Sequence, residues 1–216
     1  MTDPQPTHQA DDVRAAVSKE FAHALLFTGH MIDSPDRLEA RFPAWAEGRV
    51  RDAIHATIAG LQWSQPGSTV GLAGGASGGD LLFHECCAEL GIPTRVLLAL
   101  DPHEFQATSV AHAGENWVER FRKLLERAGD QLHVMQKGDG LAEGPTDNVW
   151  ARANLWMIEE AEWLAPQRAL LALWDGKTGD GPGGTEHFLE VARARGIRIL
   201  PPIEMRALLR RAGKSG

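Results

Sequence analysis

Apolar residues in this chain fall into two kinds of run. Residues 23–28 (HALLFT), 69–73 (TVGLA), 94–100 (TRVLLAL) and 169–174 (ALLALW) are short and almost unbroken, as in strands buried on both faces. Between them, residues 37–62, 77–90, 116–128, 149–164 and 185–195 place apolar side chains every three to four positions, the spacing of helices that bury one side. Residues 131–136 alternate like a further strand, and 198–200 read as a last short one before Pro201 and Pro202. Asp11 or Asp12 can cap a short helix ending near Glu20, Gly91 is a natural helix stop, and residues 137–146 form a loop. Pro43 interrupts the 37–62 run and is tolerated there if the helix starts late. Strands alternating with helices predict an α/β fold: a three-layer Rossmann-like sandwich around a mostly parallel sheet of five or six strands. The expected organisation is a polar leader with a short helix (1–22), one domain (23–203) and a basic C-terminal helix or tail (204–216).

Composition narrows the class. At 216 residues and 43% hydrophobic, the chain can bury one sizeable core. A formal charge of −7 argues against a nucleic-acid surface, and the basic stretch Arg206, Arg210, Arg211 and Lys214 is too short to reverse it. Cys86 and Cys87 are adjacent on a helical run, point in different directions, and suit neither a disulfide framework nor a metal cage. Residues 1–12 are polar and acidic, and no run approaches the roughly 20 apolar residues that span a bilayer. A soluble cytoplasmic protein with no membrane partner and no bound metal or resident cofactor is expected, with homo-oligomerisation open.

Two glycine turns carry the chemistry. GGASGGD (Gly74, Gly75, Ala76, Ser77, Gly78, Gly79, Asp80) and GPGGTEHFLE (residues 181–190) each follow a strand and open a helix. Glycines let a ligand approach the backbone, and helix N-terminal amides bind anions, so both turns are candidate phosphate cradles. Ser77 can cap its helix or contact a phosphate oxygen. Asp80 can receive a ribose hydroxyl or complement the helix dipole. Gly183 and Gly184 lead to Thr185, a hydroxyl at the second helix start. Residues 175–181 (DGKTGDG) form a flexible candidate lid. Neither turn is a Walker A loop, because Gly79 leads to Asp80 and the GKT triplet lacks the upstream glycine and the helix. His84 and Glu85 beside the two cysteines fit no zinc spacing and read as a half-buried helix face. Trp150, Trp156 and Trp163 read as core or interface, with base stacking open for one of them. Glu159, Glu160 and Glu162 read as a solvated face.

The order TGH after the first strand, GGASGGD after the second, ANLWMI before ALLALW, and then GPGGT resembles the SMF/DprA-LOG (SLOG) superfamily of Rossmann-like domains over roughly residues 23–200. The superfamily includes the LONELY GUY phosphoribohydrolases, DprA, and domains that sense nucleotide-derived ligands, which this chain resembles most. The resemblance implies that Gly29 and His30 border a ligand and that Gly74, Gly75, Ser77, Gly78 and Asp80 hold it. It further implies that Asn154 contacts the ligand and that Gly183, Gly184 and Thr185 bind its phosphate. The chain departs from the enzymes at two positions. Where their PGGxGTxxE pattern has glutamate it has Phe188, and four residues before Met157 it has Ala153, with Arg152 one step off. Glu186 is then the candidate catalytic carboxylate. The resulting expectation is a nucleotide or nucleotide-derivative binding domain. An N-glycosidase or phosphoribohydrolase acting on a nucleoside monophosphate is the alternative. A DNA-binding scaffold is disfavoured by charge.

Overall fold

Strand β1 (His23–Gly29) alternates Leu25 and Phe27 toward one face with Ala24 and Leu26 toward the other, and all four are fully enclosed. Such a strand can only sit inside a sheet covered on both sides. It pairs in parallel with β2 (Thr69–Ala73) and with β5 (Gln167–Trp174), which extend outward to β3 (Thr94–Leu98), β4 (Leu132–Val134) and β6 (Arg198–Ile199). The order is β4-β3-β2-β1-β5-β6, and β7 (Ile203–Glu204) also pairs with β5. The structure is a computed structural model describing residues 19–61, 63, 67–140, 148–177 and 183–210. Several expected features lie outside those residues: the helix start at Asp11 or Asp12, loop residues 141–146, lid residues 178–181, and Arg211 and Lys214.

On the Leu25/Phe27 face pack α1 (Glu47–Ala59), α2 (Gly79–Glu89), α3 (Pro102–Ser109), α4 (Glu115–Ala128) and α7 (Met205–Arg210). On the other face pack α5 (Val149–Leu164) and α6 (Thr185–Ala194). The expected three-layer sandwich is what the chain forms. None of the helices among the described residues is long and apolar enough to cross a membrane.

Some expectations change. The sheet has seven strands: β6 and β7 lie end to end beside β5, separated by Pro201 and Pro202, which cannot donate to the ladder. The helix expected over 37–62 begins only after Pro43, through a 3-10 turn at Ala44–Ala46, because proline lacks the amide a helix interior needs. The preceding loop is instead tied by Asp33, whose Oδ2 accepts from the Arg41 and Phe42 amides at 2.9 and 3.0 Å. Helix α3, unassigned from sequence, has Asp101 as its cap, accepting from the His103 amide, and Pro102 in its first turn. His84 is fully buried rather than half-buried. The α5 glutamates do not form a solvated face: Glu160 meets Arg95, Glu162 meets Arg195, and Glu159 accepts from the Gly140 amide.

Candidate functional site

After β1 the chain builds the sheet toward β4 and then crosses back to place β5 on the other side of β1. Ligands of open α/β sheets bind at the carboxyl ends of the strands where the order reverses in this way. A cavity of about 700 Å³ opens there. Its apolar wall comes from Phe27, Leu97, Phe105, Trp150, Met157 and Phe188, and its polar groups include His30, Asp80, His112, Asn154 and Thr185. Of the residues selected from sequence, Gly29, His30, Gly74, Asp80, Asn154, Gly183, Gly184 and Thr185 line this one cavity. Gly75, Ser77, Gly78 and Glu186 do not.

The second glycine turn keeps its amides available. Gly184 is the N-cap of α6 in extended conformation, and the first backbone bond into the helix is from the Phe188 amide to the Gly184 carbonyl at 3.1 Å. Among the described residues nothing accepts from the amides of Thr185, Glu186 or His187, so the positive end of the helix dipole meets the cavity. Gly183 has φ +95, and a Cβ there would run into Trp150 and lie 2.8 Å from the Ala151 amide, so glycine is required on both counts. Asn154 holds the turn from α5: its Nδ2 donates to the Gly183 carbonyl at 3.1 Å and to His187 Nδ1 at 3.2 Å. Asn154 thus positions the anion-binding turn as well as lining the cavity. Glu186 is partly exposed and outside the cavity wall, while the fully buried Phe188 presents an apolar ring to the cavity.

The first glycine turn is built differently from the expected cradle. Beyond β1 the chain makes an antiparallel bridge between Met31 and Gly78: the Ile32 amide donates to the Ser77 carbonyl and the Gly79 amide to the His30 carbonyl, both at 3.0 Å. The Ser77 amide is taken by the Ser109 carbonyl and the Leu81 amide by the Ala76 carbonyl. The amides of Ser77, Gly79 and Leu81 therefore fasten the chain to itself. Ser77 is buried, with Oγ 3.4 Å from His112 Nε2. Gly78 has φ +99 and a Cβ there would lie 2.6 Å from the Ile32 amide, while a Cβ on Gly75 would lie 2.8 Å from the Phe121 ring. Both glycines serve packing.

Asp80, in the first turn of α2, sends its carboxyl back into this turn. Its Oδ2 accepts from the Ala76 amide at 3.3 Å and lies where a Cβ on Gly74 would come within 2.7 Å. Burial pushes its pKa up to about 7, opposed by the Ala76 hydrogen bond. One helical turn later, His84 fixes the same glycine: Nε2 bonds the Gly74 carbonyl at 2.8 Å and Nδ1 bonds Thr94 Oγ1 at 2.9 Å. Because a carbonyl only accepts, Nε2 carries the proton and Nδ1 receives the threonine hydroxyl. Burial lowers the His84 pKa to about 4, so the ring is neutral.

Sequence reasoning missed a third cluster. Asp175 directly follows β5, and its amide donates to His30 Nε2 at 3.1 Å, with Oδ1 3.4 Å from the same nitrogen. Arg41 reaches Asp175 Oδ2 at 3.3 Å and the Lys177 amide donates to Oδ1 at 3.0 Å. Burial works against the Asp175 charge, but the Lys177 amide and Arg41 together hold its pKa below the usual carboxylate value. Lys177 also pairs with Glu39. These contacts tie the loop after β1 to the loop after β5 beside the cavity. A polar residue immediately after a buried strand was the available signal.

No family model matches the sequence, and no curated protein matches it. The structure is similar to the X-ray structure of DNA processing protein A (DprA) from Streptococcus pneumoniae, at 10% identity and a TM-score of 0.38, over 88% of this chain and 61% of that one. The chain thus spans less than two thirds of the length of that protein.

Proposed function

We propose that this chain is a nucleotide or nucleotide-derivative binding domain that seats a phosphate on the first turn of α6. The observation that carries this reading is the unspent amide group of Thr185, Glu186 and His187, opening beside Gly183 and Gly184 onto a cavity with an aromatic wall. A phosphate suits the amides and helix dipole, and a base suits the wall made by Phe105, Trp150 and Phe188. The motif order shared with the SLOG superfamily supports the same ligand class. With Phe188 at the position of the enzymes' glutamate and Glu186 outside the wall, binding without rapid turnover fits the site better than N-glycosidic hydrolysis. Calorimetry with a panel of nucleoside mono- and diphosphates tests the reading. Binding should occur and should be abolished in Gly184→Val, whose extended backbone accepts valine without strain. Equal affinity in the folded variant sinks the assignment of the phosphate. Chromatography for free base should show little release, and strong release lost in Glu186→Gln would reinstate the hydrolase.

A further inference from the structure

Asp80 is the one carboxylate among the described residues that lines the cavity. Its environment is unusual for an acid at a helix start. Among the described residues no cation pairs with it, and its only hydrogen bond is the long one from the Ala76 amide to Oδ2. Among the described residues no donor meets the remaining acceptor capacity, that of Oδ1 above all, and Asp80 is a partly exposed residue of the cavity wall. The surrounding chain is nonetheless arranged around the carboxyl. Gly74 gives up a side chain that would lie 2.7 Å from Oδ2, and the neutral His84 ring grips the Gly74 carbonyl, keeping the glycine in place beneath it. An acid held this firmly on the cavity wall, with acceptor capacity turned to the cavity, is placed to take a donor from a ligand.

The sheet order says which part of a nucleotide reaches it. Asp80 follows β2 and the α6 amides follow β5, with β1 between them, so the strand ends from which the two anchors rise stand two strand spacings apart, about 10 Å. Side chain and ligand bridge that interval if a 5′-phosphate sits on α6 and the sugar lies across the end of β1. There neither Gly29 nor Gly79 carries a side chain, and both lie against the Phe27 ring, a Cβ on Gly79 falling 3.1 Å from that ring and 3.3 Å from the Gly29 Cα. The aromatic wall takes the base. We infer that Asp80 receives the 2′ and 3′ hydroxyls of a ribosyl ligand and makes the cavity selective for ribonucleotides over their deoxy counterparts. This role rests on the nucleotide reading of the cavity.

The test compares adenosine, guanosine, cytidine and uridine 5′-monophosphates with their 2′,3′-dideoxy counterparts by calorimetry, on the wild type and on Asp80→Asn. Hydrogen bonds to a charged acceptor imply a ribose preference of about tenfold or more in the wild type. In Asp80→Asn that preference should shrink to within about threefold, with the dideoxy affinities little changed, because only the charge-assisted part of the contact is lost. Circular dichroism confirms that the variant is folded, and Asp80→Ser, which cannot reach as far, should lose the preference as well. Binding of ribo and dideoxy forms with equal affinity by the wild type overturns this role and leaves the phosphate assignment intact. A ribose preference that survives both substitutions, or a substitution that changes base preference alone, assigns the hydroxyls to another group and also overturns it. Absence of any nucleotide binding overturns both readings together.

Discussion

Replacing Asp80 by asparagine should stabilise the protein, and by an amount that depends on pH. The carboxyl titrates at an ordinary value of 3.8 when unfolded and is pushed up to about 7 in the fold, because burial disfavours its charge and no cation among the described residues answers it. Below pH 3.8 it is protonated in both states and contributes nothing. As the pH rises from 3.8 to 7 the unfolded chain gives up its proton first, so the folded state is progressively disfavoured. Above pH 7 the full penalty applies. At 1.36 kcal/mol per pH unit the penalty is about 4 kcal/mol, and the helix dipole, which favours an acid in the first turn, offsets about 0.3–1 kcal/mol of it. Asparagine has nearly the same shape, can still accept from the Ala76 amide, and carries no charge. Urea unfolding of both proteins should give a gap of about 1–2 kcal/mol at pH 5 and about 3 kcal/mol at pH 8, in favour of Asp80→Asn. A gap that is the same at both pH values, or a less stable variant at pH 8, would refute the claim that the carboxyl lacks a counter-charge.

Other outcomes follow from single contacts. His84 has the opposite sign: with its folded pKa lowered to about 4 from 6.5, the wild type loses about 3 kcal/mol as the pH falls from 6.5 to 4. His84→Gln should lose that acid sensitivity in urea titrations while being less stable at pH 7. Gly75→Ala, forced against Phe121, should lower stability by about 1–3 kcal/mol yet leave nucleotide affinity unchanged in the folded protein, as measured by thermal melts and calorimetry. Asn154→Ala removes two hydrogen bonds from the α6 turn and should weaken nucleotide binding by roughly tenfold, with a stability loss of about 1 kcal/mol.

What the sequence made legible was what local chemistry decides. Continuous apolar runs revealed β1, β2 and β5, and the 3.6-residue spacing placed α5 with its limits intact. Gly183 and Gly184 ahead of an amphipathic run marked the α6 turn correctly. The errors lie where distant pairing decides. Strand β7 is two residues long and exists only because β5 offers it a ladder beyond Pro201 and Pro202. The first glycine turn reads from sequence as a free anion cradle, but the Met31–Gly78 bridge takes its Gly79 amide, and Asp80 and Ser109 take those of Ala76 and Ser77. Arg41 and Asp175 stand 134 positions apart, so no spacing rule could join them. Their contact depends on β1 and β5 being neighbours, a consequence of sheet order alone.

The claim that a phosphate rests on the α6 amides is tested most directly by following the backbone amide resonances of Thr185, Glu186 and His187 in ¹⁵N-labelled protein during titration with nucleoside monophosphates. These three amides should shift downfield together and saturate with the affinity measured by calorimetry, and inorganic phosphate should produce the same pattern at higher concentration. Saturable binding that leaves them unmoved while amides elsewhere in the sheet respond would contradict it.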